Sequence, residues 1–218
     1  MYFQFLVEDQ SSSALIDQLM KKISERYENV WYDTKSFRGI GGFTPKNTAK
    51  ETKTGKLLND LATYMRGFNK SLRGIPAAII VVLDNDDRDC IEFEKELRGV
   101  AVKNMIKVDY AFCIAIEEVE AWLLGDEAAI LRAYPGAKNT VLHSYRQDSI
   151  CGTWETLADA IYPGGYEKMR KECPTYCERG KYKTKWSMNI GAHMDINNNR
   201  SPSFNHFIEE VTKRIHQV

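Results

Sequence analysis

Three apolar runs in this chain, each about one buried strand long, end on carboxylates. Residues 2–7 run into Glu8, residues 77–83 into Asp84-Asn85-Asp86, and residues 111–116 into Glu117-Glu118. Each run is followed by a stretch with helical spacing of apolar residues. Continuous apolar strands alternating with helices predict an α/β fold with a mostly parallel sheet of about four strands, flanked by helices. Parallel strands point the same way, so their carboxyl ends line one edge of the sheet, where ligands usually sit. Several acids would then share one rim. Carboxylates that close repel one another unless protons or a cation neutralise them, which points to a divalent-metal site.

The rest of the pattern fills in the alternation. Ser11, Ser12 and Ser13 can cap a first helix carrying Leu15, Ile16, Leu19, Met20 and Ile23. Residues 30–36 read as a second strand, and residues 37–54, rich in Gly, Lys and Thr, as a loop. Helices are expected over 56–70, 89–98 and 117–134. After Pro135-Gly136 the strand-like pattern stops, and helical segments near 154–161, 181–193 and 204–216 follow. The organisation expected is therefore an α/β core over 1–135 and a helical C-terminal extension over 136–218 packed on it.

Thirty basic and thirty acidic residues cancel, so total charge argues neither for nor against a nucleic-acid partner. Its distribution is uneven. Residues 35–73 carry nine Lys or Arg against two acids, and residues 84–96 carry seven acids against two bases. Residues 166–186 carry seven bases against three acids, interleaved with Tyr166, Tyr176, Tyr182 and Trp186. Basic residues among aromatics can grip phosphates and stack bases, although a solvated lysine-rich surface gives the same pattern. Five cysteines without repeated spacing suit a reducing cytoplasm. No long apolar span and no signal peptide are read, so no membrane partner is expected.

Each acid also has a structural reading. Glu8 can favour the positive end of the next helix, Asp86 or Asp89 can be an N-cap, and Glu117, Glu118 and Glu120 sit in what reads as a first helical turn. Caps need one acid per helix, however, and the run Asp84-Asn85-Asp86-Asp87 exceeds that.

Glu8 directly after the first strand, with Asp84 and Asp86 as Asp-x-Asp at the end of a later one, resembles the Toprim domain of topoisomerases, primases and OLD-type nucleases. Three further stretches, Gly55-Lys56-Leu57, residues 116–126 (IEEVEAWLLGD) and Ser201-Pro202-Ser203-Phe204, resemble a Toprim-like prokaryotic family of unknown function whose genes often neighbour ATPase genes in defence-type cassettes. The resemblance covers residues 8–207, and Glu-x-Trp-Leu-Leu-x-Asp is its sharpest mark. It implies that Glu8, Asp84 and Asp86 gather Mg²⁺ or Mn²⁺, with Glu120 as a further ligand or orienting group; helical spacing puts Glu117 on the same face as Glu120, so either could reach the rim. It implies hydrolysis of a phosphodiester in DNA or an RNA such as tRNA, with Lys56, backed by Lys181 and Lys185, as the cation facing the phosphate. An ATPase is the implied protein partner. A non-catalytic adaptor on the same scaffold is the alternative.

Other chemistries lack their motifs. Gly55-Lys56 is not a phosphate-binding P-loop, because Lys50 stands where the first glycine is needed and Leu57 replaces Ser or Thr. There is no Gly-x-Ser-x-Gly elbow and no His-Glu-x-x-His pair. Cys173, Cys177 and His193 do not match zinc-ligand spacing. Trp122 and Leu123-Leu124 read as core, and Ser201-Pro202 as the start of the last helix.

Overall fold

The computed structural model describes residues 1–43 and 55–217. Lys46, Lys50, Lys53 and most of the expected loop over 37–54 lie outside the described residues. Four strands, β1 (Tyr2–Val7), β2 (Trp31–Ser36), β3 (Ala77–Asp84) and β4 (Asp109–Ala115), form one sheet in the order β2-β1-β3-β4, every pair parallel. β3 is buried along its whole length, as its run of Ala, Ile, Val and Leu requires of a central strand, whereas β2 alternates exposed and half-buried residues as an edge strand does.

From β1 the chain moves one way to β2 through α1 (Gln10–Arg26), then back past β1 to β3 through α2 (Leu57–Ser71), and on to β4 through α3 (Cys90–Lys103). The order reverses between β1 and β3, so their carboxyl ends diverge into a crevice at the sheet edge. Pleating separates two cores. Phe3, Phe5 and Val7 of β1 face α1 with Ile80 and Val82 of β3, while Leu6, Ile79 and Val81 face α2 and α3. Fully burying one such side chain is worth about 1.5–3 kcal/mol.

The C-terminal region comprises α6 (Asn139–Ser144), α7 (Thr153–Ile161), α8 (Gly165–Glu172), α9 (Tyr176–Gly191) and α10 (Pro202–Ile215). α6 and α8 were not expected from the sequence. These helices share the α1-side core: Trp122 stacks on Phe207 of α10 at 5.0 Å, and Phe207 lies 6.3 Å from Phe5. α9 runs close along α1 because Gly191 leaves room. A Cβ there would stand 3.0 Å from Leu15 Cδ1.

Two local expectations are corrected. The cap of α1 is Asp9, whose carboxylate accepts the Ser12 N–H at 2.8 Å and the hydroxyls of Ser11 and Ser12; the serines serve the cap rather than forming it. The single helix expected over 117–134 is two, α4 (Glu120–Leu124) and α5 (Glu127–Ala133). Glu117 precedes them with φ +61°, its N–H donated to Asn85 Oδ1 at 2.5 Å, and Asp126 stops the first helix and caps the second through the Ala129 N–H. Side-chain acceptors that compete for backbone donors break the helix here. Ser201 caps α10 with Pro202 in its first turn, as expected.

Candidate active site

The crevice between β1 and β3 collects the acids. Glu8 is the residue after β1 and Asp84 the last of β3, and the Asp84 N–H donates to Glu8 Oε2 at 3.4 Å. The Asp84 side chain is buried, and its Oδ1 has no hydrogen-bond partner. β4 and the turn after it deliver Glu118 and Glu120, the latter wholly buried as the first residue of α4. From the opposite side α9 brings Lys183. Its Nζ donates to Glu118 Oε1 at 3.2 Å and stands 3.2 Å from Glu120 Oε2, at ion-pair distance but outside hydrogen-bond alignment; Glu120 Oε1 has no partner.

One ammonium among four carboxylates leaves the charge unbalanced, and the acids hold protons accordingly. Burial, with repulsion from Asp9 and Asp86, pushes Glu8 up to about 7 against the opposing Asp84 N–H and Lys183. Burial pushes Glu120 up to about 8 despite Lys183. Burial and the neighbouring Glu8 hold Asp84 well above the ordinary carboxylate range, and burial raises Glu118 as well. For Lys183, burial disfavours the charge, but Glu120, Glu118, Asp84 and Asp9 outweigh it and hold the ammonium well above its usual value.

The remaining candidates are placed less centrally. Asp86 has φ +52° and lies at the rim, half exposed and paired with Arg88 at 2.7 Å. Glu117 turns away from the cluster. Its carboxylate accepts the N–H groups of Cys151, Gly152 and Thr153 at 3.1, 2.8 and 2.9 Å and the Thr153 hydroxyl, so it closes the N-terminus of α7. Burial pushes its pKa up, but these hydrogen bonds outweigh it and hold Glu117 below the usual range. Lys56 immediately precedes α2, with its ammonium beside Gly39 rather than in the cluster. Lys185 lines a separate groove with Tyr162 and Trp186.

Lys181 lines a cleft of about 920 Å³ that reaches the cluster at Glu118 and Lys183 and is also lined by Asp9, Arg38, Arg179, Trp154 and Tyr176. Lys183 escaped the sequence reading because it is one of four lysines or arginines over 179–185. Its signal was positional: it lies three and four residues before Trp186 and Ser187 and seven before Ile190, the buried face of α9.

The donor set suits a hard cation. It consists of carboxylate oxygens, and those of Asp84 and Glu120 include buried ones without a donor. Among the described residues, no three His, Cys, Asp or Glu side chains stand in an arrangement that would enclose a metal ion by themselves. A Mg²⁺ site of the common kind uses one or two carboxylates, completed by water and substrate phosphates.

A family model described as a domain of unknown function (DUF4276) matches residues 7–212. The chain belongs to that family. No curated protein and no solved structure matches it. The DUF4276 match begins one residue before Glu8 and ends within α10, so the whole cluster, including Lys183, lies inside it.

The marked stretch 116–126 also acquires a physical account within the DUF4276 fold. Trp122 Nε1 donates to Ser203 Oγ at 3.0 Å, and Asn199 Nδ2 donates to the Trp122 carbonyl at 2.8 Å. Gly125 is required by close approach, since a Cβ there would lie 1.9 Å from Asn199 Oδ1. Most of this motif therefore docks the turn before α10, while Glu118 and Glu120 of its acids face the cluster.

Proposed function

We propose that the cluster is the centre of a Mg²⁺- or Mn²⁺-dependent phosphodiester hydrolase acting on DNA or RNA, a Toprim-like effector working with an ATPase partner. The observation that carries this reading is the set of buried carboxylates at the β1/β3 switch point, with donorless oxygens on Asp84 and Glu120, joined through Glu118 and Lys183 to a cleft bearing basic residues. Glu8 and Asp84 would hold the metal, with Asp86 at the rim and Glu120 as a further ligand or orienting group. Bound there, the metal supplies charge to the phosphate and acidity to an attacking water.

The chain's own groups do the rest. Glu8, poised near 7, is suited to take a proton at neutral pH. Lys183 replaces Lys56 as the cation for the phosphate: it lines the cleft and fixes Glu118 and Glu120 through its ion pairs. Lys181 and Arg38 on the wall would steer the flanking backbone. The ATPase partner rests on the resemblance described above. No described helix is long and apolar enough to cross a membrane.

One observation favours the adaptor alternative: Lys183 already provides the acids with an internal cation. Mn²⁺ calorimetry decides between them. Binding by the parent that is lost in folded Glu8→Gln and Asp84→Asn/Asp86→Asn variants, followed by metal-dependent cleavage of DNA or tRNA, is the expected result. No binding up to millimolar Mn²⁺ would refute the enzyme reading.

A further inference from the structure

We propose that the cleft wall beside the carboxylates is a subsite for an unpaired nucleobase, so that the substrate is single-stranded; this rests on the reading of the cluster as a phosphodiester-cleaving centre. Tyr176 is the first residue of α9 and 77% exposed, an unusual state for a large ring that lines a cavity. Its backbone is not loose. The capping box of Thr175 and Glu178 fixes the helix start from which it projects.

In the same cleft, Trp154 is held edge-on to Tyr166 at 5.2 Å, and the guanidinium of Arg179 lies 5.9 Å from the indole centroid. Arg179 is itself oriented by the carbonyls of Thr175 and Pro174. The backbone N–H of Trp154 donates to Glu118 Oε2 at 3.3 Å, which anchors the chain carrying this ring to the acid cluster.

Charge selects the occupant. Arg38, Arg179 and Lys181 line the cleft and make no ion pair among the described residues, so their charges are available to phosphates. Of the lining acids, Asp9 is engaged by donors of α1 and Glu118 by Lys183, and Glu155 has no ion pair among the described residues. Free cations beside an open aromatic ring suit a nucleotide: phosphate on the cations, base on the ring. A duplex hides its base faces in stacking and cannot offer them to Tyr176, whereas an unpaired base can.

The test is fluorescence anisotropy in EDTA with fluorescein-labelled dT8, rU8 and a hairpin duplex. Without metal, binding is read apart from cleavage. The parent is expected to bind one or both single strands at least about tenfold more tightly than the hairpin, and the two strands separate DNA from RNA. Tyr176→Ala should weaken this binding about tenfold, Tyr176→Phe should retain it, and Lys185→Gln, in the other groove, should leave it unchanged. Hairpin binding as tight as single-strand binding, an unaffected Tyr176→Ala, or no binding of either strand would overturn the proposal. Absence of cleavage in Mn²⁺ with single-strand binding intact would count against the metal-centred reading and leave this subsite standing.

Discussion

Glu8 and Glu120 hold protons near neutrality because burial and neighbouring carboxylates penalise their charged forms more than Lys183 favours them. A metal bound to these oxygens has to displace those protons, so affinity and pH are linked. Below pH 7, Mn²⁺ affinity should rise about tenfold per pH unit for each proton displaced, flattening above pH 8. Calorimetry in buffers of different ionisation enthalpy should show proton release at pH 6.5. An affinity independent of pH between 6 and 8 would mean that the metal does not use these acids. The central cation is likewise decided residue by residue: of the lysines near the cleft, Lys183 is the one that pairs with two of the cluster's acids.

At the scale of elements, the acids after β4 divide their work. Glu117 has its carboxylate filled by the N-terminus of α7, while Glu118 and Glu120 meet Lys183. Glu117→Gln should therefore keep Mn²⁺ affinity near the parent's while destabilising the protein by about 1–2 kcal/mol in urea unfolding. A loss of metal binding in the folded variant would return Glu117 to the ligand set. The junction of α4 with the start of α10 is equally specific. Gly125→Ala would drive a methyl into the Asn199 amide and strain the contacts that seat Trp122. Overpacking of this kind costs about 1–3 kcal/mol, visible as a lower urea midpoint. An unchanged midpoint would show that the turn before α10 yields freely.

For the molecule as a whole, the cluster trades stability for charge. In the metal-free protein Glu8, Asp84, Glu118 and Glu120 bind protons more tightly folded than unfolded. Unfolding therefore releases protons above the unfolded carboxylate range, and stability falls as pH rises from about 4.5 to about 8. Below that range the sign reverses, because Glu117 and Glu210, whose values are lowered in the fold, lose their favourable interactions as they protonate. Thermal melts in EDTA should place the stability maximum near pH 5, with Glu120→Gln reducing the decline toward pH 8. Melts that rise steadily from pH 5 to 8 would contradict this account. The second anchor of the C-terminal helices lies far from the cluster: buried Arg214 of α10 donates to Asp109 at 2.7 and 2.9 Å and also holds Glu210.

The four strands, their parallel sense and the delivery of acids to one sheet edge were legible in the chain, because runs of apolar residues ending in carboxylates are local patterns and burial acts on them directly. The ends of helices were less so. The break at Gly125-Asp126 and the cap at Asp9 depend on which donors compete for which acceptors, a contest that sequence spacing does not settle. Only the folded chain decided which acids meet. Glu120 and Glu117 lie three residues apart, yet a positive φ at Glu117 sends one to α7 and leaves the other in the cluster. Lys183 lies 63 residues beyond Glu120, and only its helical spacing to Trp186, Ser187 and Ile190 tells it from Lys181 or Lys185. Its role comes from the packing of α9 along α1, where two residues, about half a turn of helix, separate a buried ammonium from a solvated one.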